Sequence, residues 1–440
     1  MHCLPLNSMA AAALVAELMA LVTELKRVDR CLFPHAKEEQ KIDQLLSLTK
    51  VLAEKAASLP EGATPVERAA ALYCQGHAVT KALESDEQPP DTSPHKEQGV
   101  EAVKLLEQAV KLDPTLVVAW NALAERCCVT GEFERARQCV DAAVKQESNA
   151  ETLRIGSFIE RSKPEADVPM ALAEAKKAVA LGFSDAESWF ALGCCHLKDF
   201  FSGSGEPKSL RLACSAFTKA EANEDASIPN PDVYYNRAQV HRYLEQYSES
   251  VADFERAGKI DPQLQAPKEI DDTSRFVKSV ADAVAQRGFI KPKRLGPLLQ
   301  TMATKGAMAK GTKETGKPKT EVKISELAQD GPNPGKKVTG VVVAVLAPPH
   351  SIPLTYVIVD SERTSIACSV FNIAQDRPTP QVKDVLTVAE PDLRMVEFSR
   401  DGKQISYPCV RVEHPGTLLR NGKPMERSVK RSVLTSGRGR

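Results

Sequence analysis

Aromatic residues are scarce in this chain: phenylalanine, tyrosine and tryptophan make up 5% of its 440 residues, with only two tryptophans. Net charge is absent as well, 58 Lys and Arg standing against 58 Asp and Glu. The 11 cysteines include the adjacent pairs Cys127–Cys128 and Cys194–Cys195 but no C-x-x-C spacing, which removes the usual zinc and dithiol motifs. A reduced cytosolic or nuclear protein is the expectation. No apolar run is long enough to cross a bilayer. The stretch from Met9 to Leu21 is broken by Glu17 and runs into Glu24, Lys26 and Arg27, so it reads as an amphipathic helix and not as a signal or transit peptide. No Gly-rich phosphate loop follows a strand-like run, and the eight histidines are dispersed. An enzyme, a metal or cofactor site, a small-molecule substrate and a membrane partner are therefore not expected.

What is present is a ladder. Ala102, Leu106, Ala109 and Pro114 are followed 34 residues on by Ala136, Val140, Ala143 and Ser148, and the spacing returns as Ala213, Phe217, Ala220 and as Ser250, Phe254, Ala257, Pro262. Trp120 stands eleven residues after Ala109, and Trp189 eleven after Ala178. Small residues at fixed offsets let paired helices approach closely, and a period of this length is that of tetratricopeptide repeats. Such arrays form concave binding surfaces. Helices are expected over residues 9–29 and 36–58, with Cys31, Phe33, Pro34 and His35 in the turn. Repeats then open at Leu72, Trp120, Glu151 (a degraded copy without its Trp), Trp189 and Tyr234. A polar insert lies at Ser85 to Ser93. Eight extra residues, Phe200 to Pro207, fall in one hairpin turn, and a capping helix covers 269–287. His196 and His241 occupy equivalent repeat positions and read as packing residues.

Charge divides unevenly along the chain. Residues 287–320 hold nine Lys and Arg against one Glu, residues 420–440 seven against one, and residues 1–286 sum to −12. An acidic solenoid (1–290) is thus followed by a basic linker (291–335), rich in Gly, Lys, Thr and Pro from Lys305. Beyond it the pattern alternates. Strands are expected at Val338 to Leu346, Leu354 to Asp360, Ser365 to Phe371, Val385 to Val388, Leu393 to Phe398 and Ile405 to Val412, with Asp401-Gly402 as a hairpin turn. Together with a long loop at Ala347 to Pro353 and a crossover at Asn372 to Pro380, these fit a small all-β barrel over 336–425, of the oligonucleotide/oligosaccharide-binding (OB) type. The basic tail, 426–440, is expected to be disordered.

The order of these domains, together with the segment Ala178 to Phe201 (Ser188-Trp189-Phe190, Asp199-Phe200-Phe201), Asn230-Pro231-Asp232, Asn236-Arg237-Ala238 and Ile358-Val359-Asp360-Ser361, resembles one family over about residues 10–424. It comprises the tetratricopeptide proteins described as stress-responsive activators of a histone-acetyltransferase coactivator and as ribosome-associated factors in tubulin autoregulation. The resemblance implies a non-enzymatic adaptor, cytoplasmic and also described as nuclear. Its groove would hold the Met-Arg-Glu start of nascent tubulin chains at the ribosome, and it would recruit factors for tubulin mRNA decay. Carried over position by position, Asp232 would pair with the peptide Arg and Arg161 with its Glu. Lys291, Lys293 and Arg294 would dock on ribosomal RNA, where clustered cations bind phosphate through counterion release. One family expectation is not met: Gln265 and Ala266 stand where an acidic residue after Asp261-Pro262 would be.

Other readings stand beside these. Asp232 also suits a helix cap, Arg161 a solvated helix end, and the three cations a flexible basic hinge. A nuclear coactivator scaffold is an alternative role. A chaperone adaptor clasping carboxylate tails would use Asn121, Asn236 and Arg237, but it lacks the accompanying lysines and the array is acidic. Nucleic-acid binding through the barrel would need Tyr356, Phe371, Phe398 or Tyr407 on its surface.

Overall fold

The computed structural model describes residues 6–30, 38–85, 93–225, 229–307, 319–347, 353–372 and 379–425. The expected turn at Cys31 to His35, most of the polar insert, the centres of the loop after Ala347 and of the crossover after Asn372, and the tail from Glu426 lie outside them. Two compact units are present: Met1–Val233 with Lys259–Gln263, and Tyr234–Gly258 with Leu264–Arg440. The sequence reading puts the boundary at 290; the division by contact falls inside a helix, after Val233.

The first unit is a run of helix hairpins: α1 (Leu6–Arg30), α2 (Glu38–Ala57), α3 (Pro65–Ser85), α4 (Ser93–Leu112), α5 (Val117–Val129), α6 (Phe133–Gln146), α7 (Ala150–Ser162), α8 (Val168–Leu181), α9 (Ala186–Asp199) and α10 (Pro207–Ala222), leading into α11 (Pro231–Tyr243). The ladder residues Ala102, Leu106, Ala109, Ala136, Val140, Ala143, Ala213, Phe217 and Ala220 are all buried. A small residue stands four positions after the bulky one in three of the first helices: Ala124 after Trp120, Gly193 after Trp189 and Ala238 after Tyr234. A Cβ on Gly193, four after Trp189, would stand 2.5 Å from the Phe217 ring. In the degraded hairpin the equivalent Gly156 faces the carboxylate of Glu174 instead. That carboxylate is buried and held by Arg137 at 2.6 Å, and burial raises its pKa. Gly131, at φ +80°, makes the turn between α5 and α6. The extra residues after α9 continue it as one π-helical turn, Phe200–Ser204, before α10 begins.

The second unit joins the rest of α11, α12 (Tyr247–Ile260), α13 (Ala266–Ala285) and α14 (Pro292–Ala307) to one sheet of ten strands. These are β1 (Thr320–Val322), β2 (Gly331–Pro332), β3 (Lys336–Leu346), β4 (Leu354–Val359), β5 (Ser365–Val370), β6 (Val385–Ala389), β7 (Asp392–Arg400), β8 (Lys403–Val412), β9 (Leu418–Arg420) and β10 (Lys423–Pro424). The order runs β10-β9-β6-β3-β4-β5-β8-β7-β2, with β1 added parallel to β3; β5 and β8 are also parallel, and the other pairs are antiparallel. All six expected strands form. Alternation does not survive in β4 and β5, where five successive residues are buried in each. One face of this sheet encloses Tyr356, Ile358, Ile366, Cys368 and Val410, and α13 packs against β3, β4 and β5. A strand covered on both sides carries a continuous apolar run.

One expectation is corrected. Residues 292–307, placed in the linker as part of the basic stretch after the capping helix, form α14. Leu295 is buried and the helix packs on β3 and β6. Pro292 starts the helix, a position where its missing N–H costs nothing, and Pro297 lies inside it.

Candidate functional site

The site is built on successive first helices of the hairpins: α5, α7, α9 and α11. Arg161 lies in the last turn of α7, half-buried, its guanidinium 5.2 Å from the centre of the Phe158 ring. Its Nε is buried without a hydrogen-bond partner among the described residues. Its charge reaches the thiols of Cys128 on α5 and of Cys194 and Cys195 on α9, all pushed up by burial and drawn back by the guanidinium. Asp232 lies in the first turn of α11, half-buried. Burial pushes the Cys194 thiol up to about 11; Arg161 opposes that shift and Asp232 adds to it. The two candidate recognition residues thus lie within electrostatic reach of one thiol, with opposite effects on it.

The capping role falls to a different residue. Asn230 Oδ1 accepts the backbone N–H of Asp232 at 3.0 Å. The Asn-Pro step that announces this cap was legible in the sequence beside the Asp that drew attention. Sequence reasoning also missed Phe158, a large apolar side chain 43% exposed on the same helix as Arg161.

Lys291, Lys293 and Arg294 are all exposed at the start of α14. They follow three consecutive residues with left-handed backbone, Arg287, Gly288 and Phe289, at φ of 50°, 67° and 59°. A Cβ at Gly288 would stand 2.6 Å from the Val343 carbonyl oxygen, so only glycine allows this close approach to β3. Arg287 donates to the Arg363 carbonyl at 2.9 Å, and Phe289 is 61% exposed. Cations at a helix N-terminus add to its positive dipole end, an arrangement that costs stability and draws anions.

Most of the groups required by the rival readings are internal. Tyr356, Phe371, Phe398 and Tyr407 are all buried, so none is available to stack on a base. Asn121 is buried and its Oδ1 accepts from the Thr152 hydroxyl at 3.0 Å, while Arg237 makes two 2.7 Å bonds to Asp253. Asn236 is half-buried. His196 is buried, as its packing role requires, and burial lowers its pKa. Among the described residues no group of His, Cys, Asp and Glu is arranged to hold a metal, and no helix is long and apolar enough to cross a membrane.

A profile of the Tetratricopeptide repeat protein 5 OB fold domain matches residues 319–433, and a tetratricopeptide repeat profile matches 231–264. Tetratricopeptide repeat protein 5 of Mus musculus is 32% identical over 390 residues, covering 86% of this chain and 85% of its own length. The chain belongs to the tetratricopeptide repeat protein 5 family. The Homo sapiens member is 32% identical over 348 residues, covering 76% of this chain and 78% of its own. Among solved structures YrrB, described as a TPR protein with an unusual peptide-binding site, matches with a TM-score of 0.30 and 18% identity, over 44% of this chain and 98% of its own. Likeness that slight carries no argument about ligands. Repeat fold and family together make the protein a protein-interaction adaptor.

Proposed function

We propose that this adaptor is non-enzymatic and holds the Met-Arg-Glu start of nascent tubulin chains in its helical groove at the ribosome, leading to decay of the tubulin message in the cytoplasm. What supports the reading is the pair Arg161 and Asp232, two half-buried groups of opposite charge at the end of α7 and the start of α11. Such a pair suits a ligand with a guanidinium and a carboxylate on neighbouring residues, each met by a charge-assisted hydrogen bond. Asp232 takes the peptide Arg and Arg161 its Glu. The half-buried setting of both strengthens the attraction over what open water allows.

Ribosome docking falls to Lys291, Lys293 and Arg294, whose exposure and place at a helix N-terminus support contact with RNA phosphate. The test is co-sedimentation with translating ribosomes. The double variant Lys291→Glu and Lys293→Glu is expected to leave the ribosome fraction while still binding a Met-Arg-Glu peptide. Unchanged sedimentation would remove the docking assignment. Selective ribosome profiling of the tagged protein tests the nascent-chain reading: enrichment on tubulin messages is expected, and an even distribution over messages contradicts it.

A further inference from the structure

Every phenylalanine and tyrosine of the second unit is buried except Phe289, which is 61% exposed. Its backbone is left-handed at φ 59°, a conformation disfavoured for a residue with a bulky side chain. The surroundings hold it there. The Ser365 hydroxyl donates to the Val284 carbonyl at 2.7 Å and ties the end of α13 to β5. Arg287 Nε donates to the Arg363 carbonyl at 2.9 Å, and Gly288 lies too close to Val343 for any other residue. The ring is thus presented to solvent on a turn pinned to β3 and to the connection between β4 and β5. Cations stand around it. Arg287 precedes Phe289 by two residues and Lys291 follows by two, and two residues of chain span at most about 7 Å. Lys293 and Arg294 follow in the first turn of α14, and the bond from Arg287 brings in Arg363 from a distant part of the sequence. All five cationic residues are exposed. Glu362, beside Arg363, accepts from the Ser325 hydroxyl at 3.2 Å.

We infer that Phe289 stacks on an unpaired RNA base while the cations around it hold the neighbouring phosphates, so that this segment takes single-stranded or looped RNA and not a closed duplex. The inference rests on the assignment of Lys291, Lys293 and Arg294 to ribosomal RNA, and adds to it the class of RNA structure recognised. A cluster of cations alone reads phosphate, whether the bases are paired or not. A ring adds a condition. Every base has a π-face, but only a base out of its own stack can offer that face to a side chain. An anionic membrane is the other surface that takes cations together with an aromatic residue. It fits less well, because the large apolar residues of α14, Leu295, Leu298, Leu299 and Met302, are buried or half-buried. One exposed ring offers little apolar area for insertion.

The test titrates the full chain into a short labelled single-stranded RNA of mixed sequence, and into the same strand paired with its complement, by fluorescence anisotropy over a salt series. Phe289→Ala is expected to bind the single strand about tenfold more weakly, the scale of one base stacked on an aromatic ring. It should bind the duplex as the native protein does, and the slope of log affinity against log salt should not change, since no phosphate contact is lost. Phe289→Leu is expected to lose as much, and Phe289→Trp to keep native affinity. Lys291→Glu with Lys293→Glu should instead weaken both RNAs and flatten the salt slope. Thermal melting checks that each variant folds. Native affinity for the single strand in Phe289→Ala or Phe289→Leu, or an equal loss on the duplex, overturns the inference and leaves phosphate docking in place. Binding to phosphatidylserine vesicles that Phe289→Ala abolishes, with no RNA bound, assigns the surface to a membrane and overturns it as well. Failure of the native protein to bind either RNA overturns both the inference and the RNA-docking reading.

Discussion

Arg161 in the first unit and Arg411 in the second each lie over a phenylalanine ring, and their surroundings are opposite. Arg411 sits 3.8 Å from the centre of Phe371, and its side chain is 1% exposed. It donates to Glu245 and to the Tyr243 carbonyl, both at 3.0 Å, and to Glu413 at 2.6 Å. Arg161 is half-buried over one ring, and its charge bears on three buried thiols. A guanidinium enclosed by carboxylates is a fastener, tying β8 to the turn after α11. One left beside an open groove can still meet a ligand.

The comparison can be broken at several points. Arg411→Met removes the fastener's charge and leaves Glu245 buried without its ion pair. A loss of about 3–5 kcal/mol in unfolding free energy is expected from urea titration, and a loss below about 1 kcal/mol contradicts the role. Gly193→Val drives a side chain into the Phe217 ring and should cost about 1–3 kcal/mol, read as a lower melting temperature. Arg161→Ala should cost no more than about 1 kcal/mol of stability, the scale of a part-exposed cation–π contact, yet weaken a Met-Arg-Glu peptide by about 1–3 kcal/mol. If stability falls as far as affinity, Arg161 is a structural residue like Arg411. Asn230→Ala should cost about 1 kcal/mol through the lost cap, with helix content by circular dichroism as the second readout. The smallest effect is expected from Lys291→Glu with Lys293→Glu, a gain of about 0.3–1 kcal/mol as the α14 dipole meets negative charge. A clear loss there would show that the lysines serve folding.

The repeat ladder was readable because Ala136, Val140 and Ala143 recur at the spacing of helix contacts, and packing admits few substitutes at those positions. The strands were readable through valine-rich runs such as Val338 to Leu346. What escaped depends on partners distant in the chain. Helix α14 hides behind Pro297 and Gly296, and its Leu295 gains a reason to be helical only once β3 and β6 stand beneath it. The Arg411 cluster links residues 166 and 168 positions apart, a separation that local pattern cannot signal. In the groove, Arg161 and Asp232 could be singled out only through a family resemblance. Nothing in their local sequence marks two residues on separate helices as acting on Cys194.

The most direct measurement is a double-mutant cycle between Asp232→Ala and the second residue of the ligand, comparing Met-Arg-Glu with Met-Gln-Glu peptides on both proteins by calorimetry. The expected result is that Asp232→Ala weakens the arginine peptide by about 1–3 kcal/mol and leaves the glutamine peptide unchanged. Equal losses for both peptides, or no loss for either, would contradict recognition of the arginine by Asp232.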